Sequence, residues 1–550
     1  MAKYRARAAL NAAMFPLVSV LAGRTVMQPT LDSNVRTPQS FYGGAESAEM
    51  SVPQAIYVQN IMPTAEGMQS VGYFQQVAPL LNAVDFDQAI TLRDEDENNF
   101  LYVPARGKNY ILNMATGAWV STNPFTGWTG KLVTRAYVNG RTFVCFEGRG
   151  IYEYDVTANT FLPQTITGLA AVDIRGIGGS SNYLIAFTDL EVCWSSLVDP
   201  LDFVPSFTTG AGRSIPQDVK ARITAVLGIS GGFIVYTAKN AIAAVYTNNT
   251  RAPFTFKEIA NAGGIQTYEQ VTSEQTSGAQ YAWTTGGLQK ITVQNAEPVS
   301  AEVNDFIAGK MYDEWDPASK ELTTSYIDGY EFPVKLSFIS SRFVVISYSV
   351  NSDVALYQYA LIYDVVLKRW GKLKILHTDC FSYPYPNVVG PVTYAGLANT
   401  TYNDLAQTSY ADLTLGVISD PPSKLTIAFL TTAGEVKLAT MDYEKSTEEA
   451  GVIIFGHFQL VRASMVQLQT AEFEGIYQPG SDLPHSITVT VKATQPDNKE
   501  AIKQTMTLLN KSAKNAKYGK RITGLNFDLA VEGTMALSSY LIEATNDGDR

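Results

Sequence analysis

Tyr183-Leu-Ile-Ala-Phe187 is followed, after a three-residue turn, by Leu190-Glu-Val-Cys-Trp194. A Pro-rich corner, Asp199-Pro-Leu-Asp-Phe-Val-Pro205, comes next, and beyond Gly210 and Gly212 stands Ile223-Thr-Ala-Val-Leu227. The hairpin then repeats as Phe233-Ile-Val-Tyr236, a turn at Ala238-Lys-Asn240, and Ile242-Ala-Ala-Val-Tyr246. This stretch, Tyr183 to Phe256, decides the fold. Short β-branched and aromatic runs separated by Gly and Asn read as hairpins, and two in one window raise the question of a repeat.

The repeat is present. The first strands of the hairpins start at Phe100, Phe143, Tyr183, Phe233 and Tyr281, and their partners at Tyr110, Ile151, Leu190, Ala241 and Leu288. Ahead of several hairpins lies another strand pattern (Leu132 to Val138, Ala170 to Ile174, Ile223 to Leu227), and behind two lies a fourth (Phe161 to Thr165, Phe254 to Ile259). Four short strands recurring at roughly 40 to 50 residues are the signature of propeller blades. Phe343-Val-Val-Ile346 with Ala360-Leu-Ile-Tyr363 reads as a sixth hairpin, and Leu425 to Phe429 with Val436 to Leu438 as a seventh. Two strand-turn-Trp endings, at Trp119 and Trp370, are expected to wedge between neighbouring blades.

From His457 onward, segments Met465 to Phe473, His485 to Ala493, Ala501 to Leu509 and Gly524 to Ala530 alternate apolar and polar residues without the blade spacing. The predicted architecture is therefore all-β: a β-propeller of six or seven four-stranded blades, with an N-terminal arm and a C-terminal β-sandwich-like domain. The divisions expected are 1–54 for the arm, 55–456 for the propeller with an insertion at 381–424, and 457–550 for the last domain. Lys3, Arg5 and Arg7 before the apolar run Ala8 to Gly23 imitate a secretory signal. Asn11 and Pro16 break that run, which is too short to span a bilayer. The competing expectation is a basic arm with a short helix that docks on a partner. No membrane association is expected.

Composition narrows the function. A net charge of −11 over 550 residues argues against a general nucleic-acid coat, which needs clustered Lys and Arg. The three cysteines, Cys145, Cys193 and Cys380, are widely spaced and read as buried free thiols. His377, His457 and His485 lack metal-ligand spacing, so no metal site or cofactor is expected. Gly176-Ile-Gly-Gly179 reads as a turn without the lysine of a phosphate loop. Gly228-Ile-Ser-Gly-Gly232 matches Gly-x-Ser-x-Gly, but a nucleophile elbow needs a helix straight after it and here a strand follows.

Two charged clusters are candidate contact sites. Asp94, Glu95, Asp96 and Glu97 read either as a solvated turn that discourages edge pairing or as a negative surface that keeps DNA from sticking. Lys511, Lys514, Lys517, Lys520 and Arg521 read as a solvated loop or as a contact to phosphate or an acidic partner.

The segment Trp194-Ser195, Asp199-Pro200, Asp202-Phe203 and Gly210-Ala-Gly212 resembles the tail nozzle (tail hub, or packaged-DNA stabilisation) proteins of short-tailed bacteriophages. So do the entry Tyr57-Val-Gln-Asn60 to Gly72-Tyr73, the ending Tyr363-Asp364 to Arg369-Trp370, and the duplicate Thr401-Tyr-Asn-Asp-Leu405 and Ser409-Tyr-Ala-Asp-Leu413. The closing run Gly519 to Leu529 is similar as well. The likeness is diffuse and touches most of the chain. It implies a non-enzymatic virion protein, assembled in the host cytoplasm as a homo-oligomer, a hexameric ring below the portal and adaptor proteins. Such a ring would meet tail fibre or tail needle proteins, retain packaged DNA, and pass double-stranded DNA without reading its sequence. The alternative from another class is a carbohydrate-binding or carbohydrate-cleaving propeller used in host attachment, since paired carboxylates across a ring are invisible to sequence spacing.

Overall fold

The structure is a computed structural model. It describes residues 3–9, 54–63, 68–76, 81, 88–94, 99–105, 108–113, 118–122, 133–180, 182–273, 278–300, 312–325, 334–339, 342–349, 356–381, 426–430, 436–446, 450–458, 466–475, 485–494, 502–510, 515–518, 522–524 and 526–546.

Among these residues the chain forms a β-propeller of seven blades. Blade one is Ile90–Arg93, Asn99–Ala105, Lys108–Asn113 and Ala118–Thr122; blade two is Val133–Val138, Arg141–Phe146, Gly150–Asp155 and Thr160–Pro163. Blade three is Gly176–Ser180, Tyr183–Phe187, Val192–Trp194 and Gly212–Ser214; blade four is Ile223–Ile229, Gly232–Thr237, Ala241–Tyr246 and Phe254–Glu258. Blade five is Val271–Ser273, Gln280–Thr284, Gly287–Ile291 and Ala296–Pro298, and blade six is Val334–Ile339, Phe343–Tyr348, Tyr357–Asp364 and Arg369–His377. Each of these six is an antiparallel meander of consecutive strands.

Blade seven is built differently. Asp379–Phe381, Thr426–Leu430 and Val436–Ser446 supply three strands, and Gly72–Gln76 from the other end of the chain pairs with Val436–Ser446 as the fourth. The strand that finishes the last blade therefore lies just ahead of the first blade, and the ring is sealed by its own chain. A full ring covers each blade face with its neighbour. Apolar clusters accordingly join blades one and two through Phe100 and Phe146, two and three through Phe143 and Ile177, three and four through Phe187 and Phe233, and four and five through Tyr236 and Ala282. Tyr281 of blade five stacks on Phe338 of blade six, with ring centroids 6.1 Å apart. Phe343 and Cys380 share the cluster between blades six and seven.

Two sequence expectations fail in blade three. Ala170 to Ile174, expected as its first strand, contains a 3-10 turn at Ala171–Asp173. The strand is the Gly-rich run Gly176–Ser180, which the sequence reading takes for a turn. The glycines are there because backbones meet side-on. A Cβ at Gly178 would stand 2.6 Å from the Val226 carbonyl oxygen, and one at Gly228 only 1.8 Å from that of Gly179. Gly in a strand marks such an approach as readily as a turn.

The tryptophan expectation is met by a different residue. Trp194 packs against Phe254 of blade four at 5.6 Å and donates its indole N–H to the Gly210 carbonyl at 2.9 Å. Trp370 is buried against Tyr363 of its own blade, and Trp119 is half-buried.

The remaining strands form a hairpin, Tyr312–Asp316 with Glu321–Ser325, and two larger sheets. One runs Gln54–Gln59, Gly451–Phe458, Asn526–Gly533, His485–Thr494, Ile502–Asn510. The other extends blade six: Arg369–His377 pairs with Ile61–Pro63, followed by Met68–Ser70, Ala536–Asn546, Val466–Gly475 and Asn515–Tyr518. The structure thus divides the chain differently from the expected boundaries at 55 and 456. Strands from Gln54 to Ser70 sit among the C-terminal strands, and Gly451–Phe458 runs through position 456. Ser70 pins this weave, its Oγ accepting from the Met535 N–H at 2.9 Å and donating to the Gly533 carbonyl at 3.1 Å. Lys3–Ala9 of the expected arm pairs with Ala536–Asn546. The insertion expected at 381–424 lies, beyond Phe381, outside the described residues.

Candidate functional site

Three places gather polar chemistry. The first is a cleft of about 290 Å³ at the junction of blades one and two, lined by Asp94, Arg141, Glu153, Tyr154 and Asp155 among others. Asp94 follows the innermost strand of blade one, Arg141 opens the second strand of blade two, and Glu153 to Asp155 end its third. Arg141 forks onto Glu153, donating from Nε and Nη2 at 2.5 and 2.6 Å, and its guanidinium lies over the Phe143 ring at 5.1 Å. The hydrogen bond to Glu153, with that carboxylate's charge and the charge of Asp199, holds the Arg141 pKa above its usual value against burial. Burial, then the charges of Asp94 and Asp155, push the Tyr154 phenol up to about 12. Asp155 accepts the Ala158 N–H at 2.9 Å and the Tyr154 hydroxyl donates to Asn159 at 2.8 Å. Glu153 and Asp155 are thus engaged in holding the loops in place.

The second place is the long loop between the third and fourth strands of blade three, Ser195 to Ala211. It holds Asp199-Pro200 and Asp202-Phe203, one of the several segments in which the sequence carries a resemblance. It bonds to itself at short range: Ser196 Oγ accepts the Val198 N–H at 3.0 Å, Asp199 accepts the Leu201 N–H at 3.0 Å, and the Gly210 N–H reaches the Ser206 carbonyl at 2.9 Å. Asp202 ties it to the connection leaving blade two, accepting from the Thr167 hydroxyl at 2.8 Å. Leu201 and Phe203 sink into the core between blades two and three. Val198 and Phe207 do the opposite, standing 84% and 73% exposed. A loop with its frame this well bonded presents those two side chains in a defined setting.

The third place is the seam. Lys335 of blade six and Asp379 of blade seven form a buried ion pair at 2.8 Å, and Asp379 also accepts the Ala89 N–H, just ahead of blade one, at 2.7 Å. One carboxylate therefore joins three successive blades. Burial works against the Lys335 charge, but the Asp379 and Glu269 carboxylates more than offset it and raise its pKa. Burial pushes the Asp379 carboxyl up, with Lys335 working against that. Beside the pair, the two ring nitrogens of His377 bond the Ile375 carbonyl at 2.8 Å and the Ser347 hydroxyl at 2.9 Å. Ser347 reaches Cys380 Sγ at 3.7 Å. The Ser-His contact imitates a nucleophile and base, yet both residues are buried and the imidazole has a carbonyl where a triad has a carboxylate. Desolvation lowers the His377 pKa to about 4, leaving it neutral and weakly basic. The seam is built to hold.

On the opposite end of the blades from the cleft, Glu147, Arg175, Asp189 and Arg222 form an ion-pair network across blades two, three and four, with contacts from 3.0 to 3.5 Å. Its charges balance.

Of the residues named from sequence, Asp94 lies at the cleft, while Glu95, Asp96 and Glu97 fall outside the described residues. Lys517 is in the strand Asn515–Tyr518, opposite Glu472 in register; Lys511, Lys514, Lys520 and Arg521 fall outside. Ser230 is exposed in a two-residue hairpin turn between the paired Ile229 and Gly232, with a strand following. All three cysteines are buried and free. Among the described residues no group of His, Cys, Asp and Glu is placed to hold a metal ion, and no helix is long and apolar enough to cross a membrane. Sequence reasoning missed the seam, whose members come from blades six and seven and the approach to blade one; the one local signal was a lysine at position 335 inside a mostly apolar strand.

No family model matches the sequence, and no curated protein matches it. Among solved structures the chain is similar to the beta-propeller domain of Myceliophteria thermophila Cps50 (Swd1), at 11% identity over 66% of this chain and 99% of that one, with a TM-score of 0.36. It is also similar to the dihydro-heme d1 dehydrogenase NirN in complex with DHE, at 9% identity over 80% of this chain and 82% of that one, with a TM-score of 0.33. Scores this low carry nothing about function from either protein to this chain.

Proposed function

We propose that the protein is a structural subunit of a virion tail, a nozzle or hub that assembles as a homohexameric ring below portal and adaptor proteins. The ring extends the DNA conduit, retains the packaged genome and releases it on ejection. The observation that carries this reading is the Ser195 to Ala211 loop. It holds one of the segments bearing the family resemblance and is a braced platform with Val198 and Phe207 turned to solvent, which suits contact with another protein better than chemistry. Adaptor and tail fibre or needle proteins are the partners this reading gives it.

Charge supports the same reading. A net −11 discourages DNA phosphate from adhering to the wall, so duplex DNA slides without sequence-specific contacts. The acidic run Asp94 to Glu97 is the wall segment this reading singles out. The test is electron microscopy of the purified protein, with and without neighbouring tail proteins. Six-fold rings that stack on the adaptor are the expected result. A monomer that binds or cleaves glycans would overturn it in favour of a host-attachment propeller.

A further inference from the structure

The turn between Val133–Val138 and Arg141–Phe146 is Asn139-Gly140, closed by the register partners Val138 and Arg141. Both turn residues have positive φ, 53° and 77°, as a type I′ hairpin requires. Asn139 is exposed, and a Cβ on Gly140 would meet nothing within 4 Å, so the turn stands in open space. Among the described residues no hydrogen bond restrains the Asn139 side chain, and none occupies the Gly140 N–H. No other Asn in the sequence precedes a Gly. The turn is also the rim of the cleft, which Gly140 and Arg141 line together with Asp94, Glu153 and Asp155.

Two other residues isolate what is special here. Asn248 and Asn261 are exposed and share the left-handed backbone, with φ of 60° and 62°, but Asn249 and Ala262 follow them. A side chain on the following residue crowds that residue's backbone nitrogen, and Gly140 has none.

We propose that Asn139 is a site of spontaneous modification, in which water converts its side-chain amide to a carboxylate through a cyclic imide. The deprotonated Gly140 nitrogen attacks the Asn139 Cγ; the N–Cγ bond forms, the Cγ–Nδ2 bond breaks, and ammonia leaves. Water then opens the imide ring at either carbonyl, giving aspartate or isoaspartate. No oxidant or reductant takes part. The attack needs the carboxamide to rotate onto the Gly140 nitrogen, and a turn in open space with neither group hydrogen-bonded leaves that rotation free. Either product places a new carboxylate at position 139, near Arg141, whose fork onto Glu153 walls the cleft. Isoaspartate also adds a methylene to the backbone of a loop that joins two paired strands directly. Aged protein therefore carries a cleft with a more negative rim.

The test follows full-length protein by peptide mass spectrometry during storage at alkaline and at mildly acidic pH. Isoaspartyl methyltransferase with a labelled methyl donor is the probe for isoaspartate. Asn139 should convert about tenfold faster than Asn248 or Asn261, because its following residue alone lacks a side chain. Conversion should be faster at the alkaline pH, since the attacking nitrogen must lose its proton. The acidic species that accumulates should co-elute on ion exchange with the Asn139→Asp protein. Gly140→Ala should slow conversion; if its positive φ prevents folding, Gly140→Asn, which tolerates that region, takes its place. Conversion of Asn139 no faster than that of Asn248 and Asn261 overturns the proposal. So does conversion seen only after unfolding in urea, which would mean that the folded turn shields the amide.

Discussion

Blades two to five and the region around the seam solve one packing problem by opposite means. Blade four is a single run from Ile223 to Glu258 in which each strand pairs with the next. Blade seven needs Gly72–Gln76 from one end of the chain and Val436–Ser446 from near the other, and blade six continues into strands drawn from both ends. Local blades close short loops and are expected to form early, whereas the seam must wait for distant partners. The charge content differs in the same way. The interfaces from blade two to blade five combine apolar clusters with neutral buried hydrogen bonds, such as Ile177 N–H to Thr134, Ser180 to the Gly232 carbonyl and Tyr236 to Gln280, while the seam adds the buried Lys335–Asp379 ion pair. Neutral contacts join the local blades; the last joint adds a charged one.

The sharpest way to break this contrast is at the ion pair. Lys335→Met leaves Asp379 charged and buried without its partner, and should cost about 3–5 kcal/mol in urea unfolding. Lys335→Met with Asp379→Leu should recover most of that loss, because removing both charges also removes the desolvation cost. A single substitution without effect would mean the seam does not depend on the pair.

Acid probes the same joint. The His377 pKa is lowered from 6.5 to about 4 in the fold, so on acidification the unfolded chain takes up the proton first. The stability this gives is complete above pH 6.5 and is lost as the pH falls through 4, roughly 3 kcal/mol in all. Asp379 acts in the opposite sense, since a carboxyl whose pKa is raised by burial gains stability on protonation. Stability measured between pH 7 and 4 should fall, and His377→Gln should flatten that slope.

Effects away from the seam are smaller. Trp194→Phe keeps most of the packing against Phe254 but loses the indole bond to Gly210, for about 1 kcal/mol by thermal unfolding. Arg222→Ala removes exposed contacts to Glu147 and Asp189 and should change stability by less than about 1 kcal/mol, and by nothing measurable in high salt.

These differences follow what the sequence made legible. The middle hairpins beginning at Phe100, Phe143, Tyr183, Phe233 and Tyr281 were readable because apolar strand, turn and apolar strand lie side by side in the chain. The innermost strand of blade three was not, because Gly176–Ser180 obeys a demand of the neighbouring blade that no local propensity expresses. Blade number stayed open between six and seven for a related reason: the strand that decides it is Gly72–Gln76, whose partner is named nowhere near it. The candidate site was legible in part. Asp94 was visible as a charge, but Arg141 and Glu153, which give its cleft a shape, stand out only when two strands of blade two are laid together. The organisation of the Ser195 to Ala211 loop lies in side-chain bonds to turns, which composition suggests and geometry alone displays.

The propeller is one closed ring, sealed by Gly72–Gln76 from ahead of the first blade. Gln75 and Thr440 are register partners across that seal, so Gln75→Cys with Thr440→Cys tests it directly. The account predicts a disulfide within one chain on oxidation, and an unfolding free energy raised by up to about 5 kcal/mol for a cross-link that encloses so long a loop. A link that forms only between chains, or none in a folded protein, would contradict it.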